Sequence, residues 1–224
     1  MIQRKRAVDG AGSKRAVIFD FDGTIADSLP AILAVFKDLT GQSPEQFTAD
    51  EIELMRDLSV PDLMKRLGVP KWKMPYLLLR GRRLIGAHMH GIPVHPGMAD
   101  TVKALHEHGV PLYVLSSNST QNVQSYLRWH KLSDYFTGVY GGASLLGKAP
   151  RLLKLIEEGG LDVANSWYVG DETRDVSAAH AVGLHVASVS WGYNTRAALE
   201  LKKPDAVVDT AAELLKELKR IWKK

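Results

Sequence analysis

The sequence predicts an α/β protein, a doubly wound parallel sheet with an inserted, small all-helical domain. Short apolar runs that end in polar residues alternate with amphipathic stretches that end at glycine, and this alternation is typical of a parallel sheet flanked by helices. The alternation stops between residues 29 and 92, where apolar residues recur at helical spacing and Pro and Gly divide the segment. We expect three to five helices and no strand there.

Six strands and five helices of the core are predicted along the chain. The first strand covers residues 16–19, an apolar run that two carboxylates follow. Further strands are predicted at 110–115, 138–140, 166–169, 185–190 and 206–208, and helices at 98–108, 121–130, 148–158, 177–182 and 211–222. This order predicts a disordered tail at 1–14, a core formed by residues 15–28 and 93–224, and a helical insert at 29–92 that caps the core.

The composition is that of a globular protein that folds without covalent cross-links. Of the 224 residues, 45% are hydrophobic and 24% are charged, which supports a buried core and excludes a disordered or fibrous chain. The absence of cysteine excludes disulfides, a thiol nucleophile and cysteine zinc sites, and it suits a reducing compartment. No run approaches the roughly 18 apolar residues of a membrane span, and residues 1–15 lack the apolar stretch of a secretory signal. We therefore expect a cytoplasmic protein that does not associate with membranes.

The net charge of +4 comes from the N-terminal segment. Five of the 29 basic residues and one of the 25 acidic residues lie within residues 1–15, so the remaining chain balances at 24 of each. A protein that binds nucleic acid usually carries a basic stripe on its folded body. The neutral body therefore predicts no nucleic-acid partner, and the basic tail is interpreted as a solvated chain end.

Polar residues with catalytic potential fall at the predicted strand ends. Because the carboxyl ends of parallel strands meet at one edge of a sheet, we expect these side chains to lie together. Neighbouring carboxylates are costly to bury without a cation, and oxygen ligands favour a hard ion such as Mg²⁺. A lysine and a serine suit the oxygens of a phosphoryl group. The residues are Asp20 and Asp22 after the first strand, Ser116 after the second, Asp171 and Asp175 after the fourth, and Lys148 at a helix start.

Each of these residues also has an ordinary structural interpretation when it is taken alone. Asp171 could cap the following helix, Ser116 could be an unremarkable strand-end hydroxyl, and Lys148 could be a solvated lysine. The pair Asp20 and Asp22 is harder to explain in this way, because two acids directly after a buried strand add nothing to stability. Their order and positions together favour a functional interpretation.

Four sequence motifs in a fixed order carry a family resemblance. They are Asp20-Phe21-Asp22-Gly23-Thr24-Ile25-Ala26-Asp27-Ser28, Val114-Leu115-Ser116, Lys148, and Gly170-Asp171-Glu172-Thr173-Arg174-Asp175. Over about residues 14–220 the chain resembles the haloacid-dehalogenase-type phosphohydrolase superfamily. The position of the insert, between the first and second motifs, resembles the helical cap of the phosphoglycolate phosphatase and β-phosphoglucomutase branch.

The resemblance implies a two-step phosphoryl transfer. Asp20 is expected to attack phosphorus and form an aspartyl-phosphate, and Asp22 to protonate the leaving oxygen and then deprotonate the hydrolytic water. Ser116, Lys148 and the backbone amide of Ser117 are expected to hold the phosphoryl oxygens, together with the amides that follow Asp20.

The resemblance also implies a Mg²⁺ site. Its ligands are expected to be a carboxylate of Asp20, the backbone carbonyl of Asp22 and a carboxylate of Asp171, with Asp175 acting through a water or by orienting Lys148. An acid at Asp22 separates this chain from true dehalogenases, which need no leaving-group acid.

Two departures from the family pattern stand out. The third motif reads Lys148-Ala149-Pro150-Arg151, where the branch usually has Lys-Pro-x-Pro, so the contacts of this loop are expected to differ while the lysine is retained. The second motif has Ser116 where threonine is common, and both residues supply the hydroxyl.

We therefore predict a Mg²⁺-dependent phosphatase that acts on a small phosphorylated metabolite and resembles phosphoglycolate phosphatase. A phosphosugar mutase of the β-phosphoglucomutase kind shares all four motifs and stays open. A non-catalytic, receiver-like binding module is the third alternative, although the intact Asp20–Asp22 pair and the large insert speak against it.

The insert segregates its charges. Between residues 45 and 62 lie six acids and one base, Arg56, whereas residues 63–99 contain seven bases, three histidines and no acid. The basic half is either a solvated helix face or a cationic lid over the site, with Arg80, Arg82 and Arg83 as substrate-binding candidates. The histidines match no strong zinc-ligand spacing and are predicted to be surface or hinge residues: His88, His90 and His95.

Overall fold

The computed structural model of the chain describes residues 14–41, 44–58, 60–73, 76, 79–80, 83, 86, 89–142 and 147–220. The strands are β1 (Val17–Phe19), β2 (Leu112–Leu115), β3 (Gly138–Tyr140), β4 (Trp167–Gly170), β5 (His185–Val189) and β6 (Ala206–Val208). The α-helices of this part are α1 (Leu29–Thr40), α2 (Ala49–Arg56), α3 (Val60–Arg66), α4 (Met98–Glu107), α5 (Thr120–Trp129), α6 (Ala149–Gly159), α7 (Thr173–Val182), α8 (Arg196–Leu201) and α9 (Ala211–Arg220). Among these helices, none combines the length and hydrophobicity of a bilayer-spanning segment.

The six strands form one parallel sheet in the order β3-β2-β1-β4-β5-β6. The central strand β1 pairs with β2 and β4, and Phe19 lies opposite Val114 on one side and Val169 on the other. Because all three residues of β1 are buried, the strand reads as a continuous apolar run rather than an alternating one. The chain order places β1 and β4 side by side at the point where the winding reverses, which confirms the predicted doubly wound fold.

Two apolar layers cover the faces of the sheet. Alternate residues of a strand point to opposite faces, so Phe19 of β1 packs into one layer and Ile18 into the other. The first layer includes Leu105 of α4 and Leu214 of α9, and the second includes Leu155 of α6. The sheet is thus packed between two apolar layers.

The helical insert leaves and re-enters the core at one point. Ala26, after β1, forms an antiparallel bridge with Val94, and the backbone N–H of Asp27 donates to the Pro93 carbonyl at 3.0 Å. The N–H of His95 donates to the Ile25 carbonyl at 2.8 Å. Within the part of residues 29–92 that the structure describes there are helices and no strand, in agreement with the sequence prediction.

Most boundaries differ from the sequence prediction by one or two residues, but the helix predicted at 177–182 begins four residues earlier, at Thr173, because Glu172 and Asp175 form a capping box there. The helix expected at 121–130 begins at Thr120, because the Ser119 side chain caps it by accepting from the N–H of Asn122. Helix α8 was missed, although its N-cap Thr195 makes the same kind of bond to Ala198. Lys14, which the sequence places in the tail, makes backbone hydrogen bonds at 160–162, whereas residues 1–13 and 221–222 lie outside the described residues.

The packing of α4 against the sheet generates a stability prediction. Leu105 is fully buried, so Leu105→Ala is expected to lower the free energy of unfolding by about 2–5 kcal/mol, because a cavity adds to the lost apolar burial. The matched control is Leu201→Ala at a position that is 81% exposed, where a change within about 0.5 kcal/mol is expected. Denaturant unfolding measures both, and equal losses would contradict the assigned core.

Candidate active site

The sheet brings five of the predicted site residues together at the carboxyl ends of β1, β2 and β4. Asp20 follows β1, Ser116 follows β2, and Asp171 follows β4, while Asp175 lies in the first turn of α7 and Lys148 precedes α6. All five side chains are buried, with residue exposures of 3% or less.

The ammonium of Lys148 joins two of the carboxylates. Its Nζ lies 2.6 Å from Asp20 Oδ2 and 2.7 Å from Asp175 Oδ1, and it donates to the Tyr168 hydroxyl at 3.0 Å. Asp20 Oδ1 accepts the backbone N–H of Phe21 at 2.7 Å, and Asp175 Oδ2 accepts that of Glu172 at 3.2 Å. This contact places Asp175 where it can orient Lys148, and its role in the reaction stays a prediction.

The carboxylate of Asp171 is held by residues from two different segments of the chain. Its Oδ1 accepts from the Thr24 hydroxyl at 2.8 Å, and its Oδ2 accepts from the backbone N–H of Tyr193 at 2.7 Å. Gly23 and Gly192 crowd against it so closely that a Cβ at either position would overlap the side chain. The glycine of the first motif is thus required by the close approach of Asp171 to the turn after β1.

Asp22 lies beside this cluster and is only partly buried. Its Oδ2 accepts from the Asn118 side-chain amide at 3.3 Å, and its Oδ1 is shielded from solvent. Burial raises the pKa of Asp22 to about 6, against the opposing effect of hydrogen bonds from Asn118 and Ser28. A carboxyl group with this pKa can both donate and accept a proton near neutral pH.

The cluster carries more negative charge than its own lysine can neutralise. Burial raises the pKa of Asp20 to about 7, although Lys148 opposes this, and burial with repulsion from Asp20 raises the pKa of Asp171 well above its usual range. For Lys148, burial would lower the pKa, but Asp175 and Asp20 hold it well above its ordinary value. The protein therefore leaves a deficit of positive charge at this point.

The residues present fit a divalent cation. Oxygen atoms of Asp20, Asp171 and Asp175 lie within 4.8 Å of one another, and all three carboxylates are buried. A hard cation prefers an all-oxygen donor set of this kind and would supply the missing positive charge.

The loop after β2 supplies the hydroxyl that the sequence analysis singled out. Ser116 is fully buried, and its Oγ accepts the backbone N–H of Asn118 at 2.9 Å, while Ser117 is half-buried. This compact turn begins at the end of β2 and leads into α5, so its backbone amides and hydroxyl lie at the same edge of the sheet as Asp20.

The candidate residues of the insert that the structure describes have their recorded contacts outside this cluster. Arg80 and Arg83 are exposed, and Arg80 donates to the Tyr76 hydroxyl at 3.2 Å, whereas Arg82 lies outside the described residues. Of the histidines, His90 is exposed and stacks on Trp129. His95 is half-buried against Trp191 at the return of the insert, and His88 lies outside the described residues.

Contacts that the sequence analysis missed connect the insert to the site. Arg56 Nε donates to the Tyr193 carbonyl at 2.9 Å, and its Nη2 donates to the Gly192 carbonyl at 2.8 Å. The Asn194 side chain donates to the Arg56 carbonyl, and the Thr195 hydroxyl donates to Asp57. The same loop, residues 192–195, holds Asp171 through the N–H of Tyr193. The only signal in the sequence was Arg56 itself, the single base in an acidic stretch.

Comparison with known proteins agrees with the class of enzyme that this fold and site define. Residues 17–189 match the family model described as haloacid dehalogenase-like hydrolase. A phosphoglycolate phosphatase from Synechococcus elongatus is 36% identical over 214 residues, which cover 93% of this chain and 99% of that protein.

Solved structures share the architecture. A structure from Haemophilus somnus, described as a predicted phosphoglycolate phosphatase, is 26% identical with a TM-score of 0.69 over 92% of this chain and 99% of that one. A predicted phosphatase from Clostridium acetobutylicum, at 21% identity, has a TM-score of 0.77 over 93% of this chain and all of that one, which shows the fold alone.

The fold and the buried acidic site define a hydrolase of the phosphatase class. The chain belongs to the haloacid dehalogenase-like hydrolase family.

The close approach of Gly23 to Asp171 generates a prediction for the site. Gly23→Ala is expected to lower phosphatase activity about 100-fold, because the new methyl group displaces the Asp171 carboxylate and an error of about 1 Å has this cost. The matched control is Gly109→Ala, since Gly109 has nearly the same backbone angle, φ +73° against +75°, and open space around it. Both variants carry the left-handed backbone penalty of about 1–2 kcal/mol, so comparing their melting temperatures separates strain from displacement. Equal activities of the two variants would contradict this role of Gly23.

Proposed function

We propose that this protein is a Mg²⁺-dependent phosphatase that hydrolyses a small phosphomonoester through an aspartyl-phosphate on Asp20. The observation that carries the proposal is the buried Asp20 carboxylate, ion-paired with Lys148 and clustered with Asp171 at the carboxyl edge of the sheet. A carboxylate held in this way is a nucleophile in a site that favours anionic oxygens with a compensating cation.

The reaction uses Asp20 and Asp22 in two steps. In the first step an Asp20 carboxylate oxygen forms a bond to phosphorus while the bond to the ester oxygen breaks, and Asp22 gives its proton to the departing oxygen. In the second step Asp22 takes a proton from water, the water oxygen bonds to phosphorus, and the bond to Asp20 breaks. One group thus serves as acid and then as base, which requires a pKa near the working pH, and the pKa of Asp22 is raised to about 6.

The phosphoryl oxygens are held by groups that the strand ends supply. Lys148 and the Ser116 hydroxyl stabilise the developing negative charge, together with the backbone amides that follow Asp20 and that of Ser117. Asp175 keeps the ammonium of Lys148 beside Asp20, since it lies 2.7 Å from Nζ.

Mg²⁺ would be held by carboxylates of Asp20 and Asp171 and by the backbone carbonyl of Asp22. When bound, it neutralises the excess charge of the cluster and polarises a phosphoryl oxygen as a Lewis acid. The Thr24 hydroxyl and the Tyr193 backbone N–H fix the orientation of the Asp171 carboxylate, which favours its binding to the metal ion.

Two observations favour a phosphomonoester with a second anionic group as the substrate: the similarity to a phosphoglycolate phosphatase and the positive charges of the insert. The Synechococcus elongatus relative is a phosphoglycolate phosphatase, and phosphoglycolate carries a carboxylate besides its phosphate. We propose that residues 29–92 act as a cap, and that Arg80, Arg82 and Arg83 supply positive charge to a second anionic group of the substrate.

A substrate panel with one matched pair of variants tests the function. Phosphoglycolate, phosphosugars and p-nitrophenyl phosphate are incubated with wild type, Asp20→Asn and the exposed control Asp134→Asn, and free phosphate is measured. We expect release of phosphate from a small anionic monoester, no turnover by Asp20→Asn, and wild-type turnover by Asp134→Asn. Near wild-type activity of Asp20→Asn would refute the nucleophile, and isomerisation of a phosphosugar with little free phosphate would favour the mutase.

Metal removal gives a further prediction. Exhaustive chelation is expected to abolish turnover, Mg²⁺ to restore it, and Ca²⁺ to restore it poorly, because Ca²⁺ takes more ligands at longer distances. The assay is phosphate release after dialysis against chelator and readdition of each ion. Full activity in the chelated protein would exclude a metal requirement.

A further inference from the structure

A single peptide group lies between Arg56 of the insert and the Asp171 carboxylate. Its carbonyl belongs to Gly192 and accepts from Arg56 Nη2 at 2.8 Å. Its N–H belongs to Tyr193 and donates to Asp171 Oδ2 at 2.7 Å. The peptide is trans and planar, so its carbonyl and its N–H point in opposite directions. A donor that fixes the carbonyl therefore also fixes the direction in which the N–H points.

The guanidinium of Arg56 binds this peptide through two parallel hydrogen bonds. Besides the bond from Nη2, Nε donates to the Tyr193 carbonyl at 2.9 Å, so one edge of the planar group holds two successive carbonyls. The Asn194 side chain donates in turn to the Arg56 carbonyl, which keeps the end of α2 against the loop. Arg56 thus fixes both the position and the plane of the Gly192–Tyr193 peptide.

The loop packs so closely on Asp171 that a displaced peptide would displace the carboxylate as well. A Cβ at Gly192 would lie only 2.2 Å from the Cβ of Asp171. The backbone N–H of Asn194 also donates to the Asp171 carbonyl at 3.2 Å. The loop therefore contacts both the backbone and the side chain of Asp171.

The positive charge of Arg56 also strengthens the hydrogen bond that Asp171 accepts. A hydrogen bond to the carbonyl of a peptide polarises that peptide, and its N–H becomes a stronger donor. Asp171 is buried, and Lys148 forms its ion pairs with other carboxylates of the cluster. The polarised N–H of Tyr193 therefore supplies to Asp171 part of the stabilisation that the lysine gives to its partners.

We propose that Arg56 is a positioning residue for Asp171: through the Gly192–Tyr193 peptide it holds the carboxylate in the orientation that binds the divalent cation. This role rests on the function proposed above, in which Asp171 is a ligand of Mg²⁺. It differs from a role in substrate binding, because it acts on the core when no substrate is present. A residue of the insert thus completes the site of the core.

Two measurements made without substrate test this role. One is hydrogen exchange of the Tyr193 amide in the metal-free protein, followed by NMR, and the other is the dissociation constant for Mg²⁺, from titration calorimetry. Arg56→Met removes both carbonyl contacts and is expected to speed this exchange and to weaken Mg²⁺ binding, each by about 10-fold. Charge alone predicts the opposite sign for Mg²⁺, because removing a positive charge favours binding of a cation.

Three further variants separate the geometry of Arg56 from its charge and from docking of the insert. Arg56→Lys keeps the charge without the planar fork and is expected to weaken Mg²⁺ binding by at least about 3-fold. Asp57→Ala removes the contact with Thr195 between the same two segments and leaves the Gly192–Tyr193 peptide bound to Arg56. Arg66→Met removes an exposed positive charge from the insert. These last two are the matched controls, and both quantities are expected to stay within about 2-fold of wild type.

Unchanged exchange of the Tyr193 amide, or unchanged or tighter Mg²⁺ binding, in both Arg56 variants would overturn the proposal. Equal weakening by Asp57→Ala would also overturn it, because docking of the whole insert would then be the cause. If Arg56→Met fails to fold by circular dichroism, Arg56→Lys decides. A wild-type protein that binds no Mg²⁺ would refute the proposed metal dependence, and this form of the positioning role with it, whereas unaffected variants of a Mg²⁺-binding wild type refute the role of Arg56 alone.

Discussion

The pairing of one buried ammonium with two buried carboxylates is the interaction on which the site depends. Lys148 has no access to solvent, and its charge is compensated by Asp20 and Asp175 within 2.7 Å. Removing one partner of such a pair costs about 3–5 kcal/mol, because the other charge stays buried without compensation. The three residues come from three separate segments of the chain, so this pairing also locks β1, α6 and α7 into their relative positions.

The remaining negative charge gives the site its chemical character. Lys148 forms its ion pairs with Asp20 and Asp175. The carboxylate of Asp171 is instead stabilised by hydrogen bonds from the Thr24 hydroxyl and the Tyr193 backbone N–H. A site with this excess favours a hard cation, and a cation together with Lys148 favours a phosphoryl group. The backbone comes so close to Asp171 at Gly23 and Gly192 that a side chain at either position would overlap the Asp171 side chain.

The sequence predicted the site residues that follow strands or begin a helix. It did not predict the side chains that contact the site from distant parts of the chain. Asp20 and Asp171 could be found because parallel strands place their carboxyl ends at one edge of a sheet, and Lys148 because it lies between them in the order of the four motifs. Nothing in the sequence links Asn118 to Asp22, since 96 residues separate them and either residue suits a loop. The same holds for Arg56, whose guanidinium binds carbonyls of a loop that is 136 residues away.

The insert and the acidic cluster share contacts with the loop at residues 192–195. One side of this loop accepts hydrogen bonds from Arg56 of α2, and the other side binds Asp171 through the N–H of Tyr193. A change in the position of α2 would therefore be passed to Asp171 through the backbone of Gly192 and Tyr193. This arrangement provides a physical connection between the helical insert and the buried acidic cluster.

Chemical mapping of the phosphorylated intermediate tests the central claim most directly. Wild type is quenched in acid during turnover of its best substrate, and the acyl phosphate is reduced with borohydride, which converts a phosphorylated aspartate to homoserine. Mass spectrometry of the peptides then locates the modified residue. The account predicts homoserine at position 20 and at no other aspartate. Phosphate on a different residue, or turnover without any covalent intermediate, would contradict it.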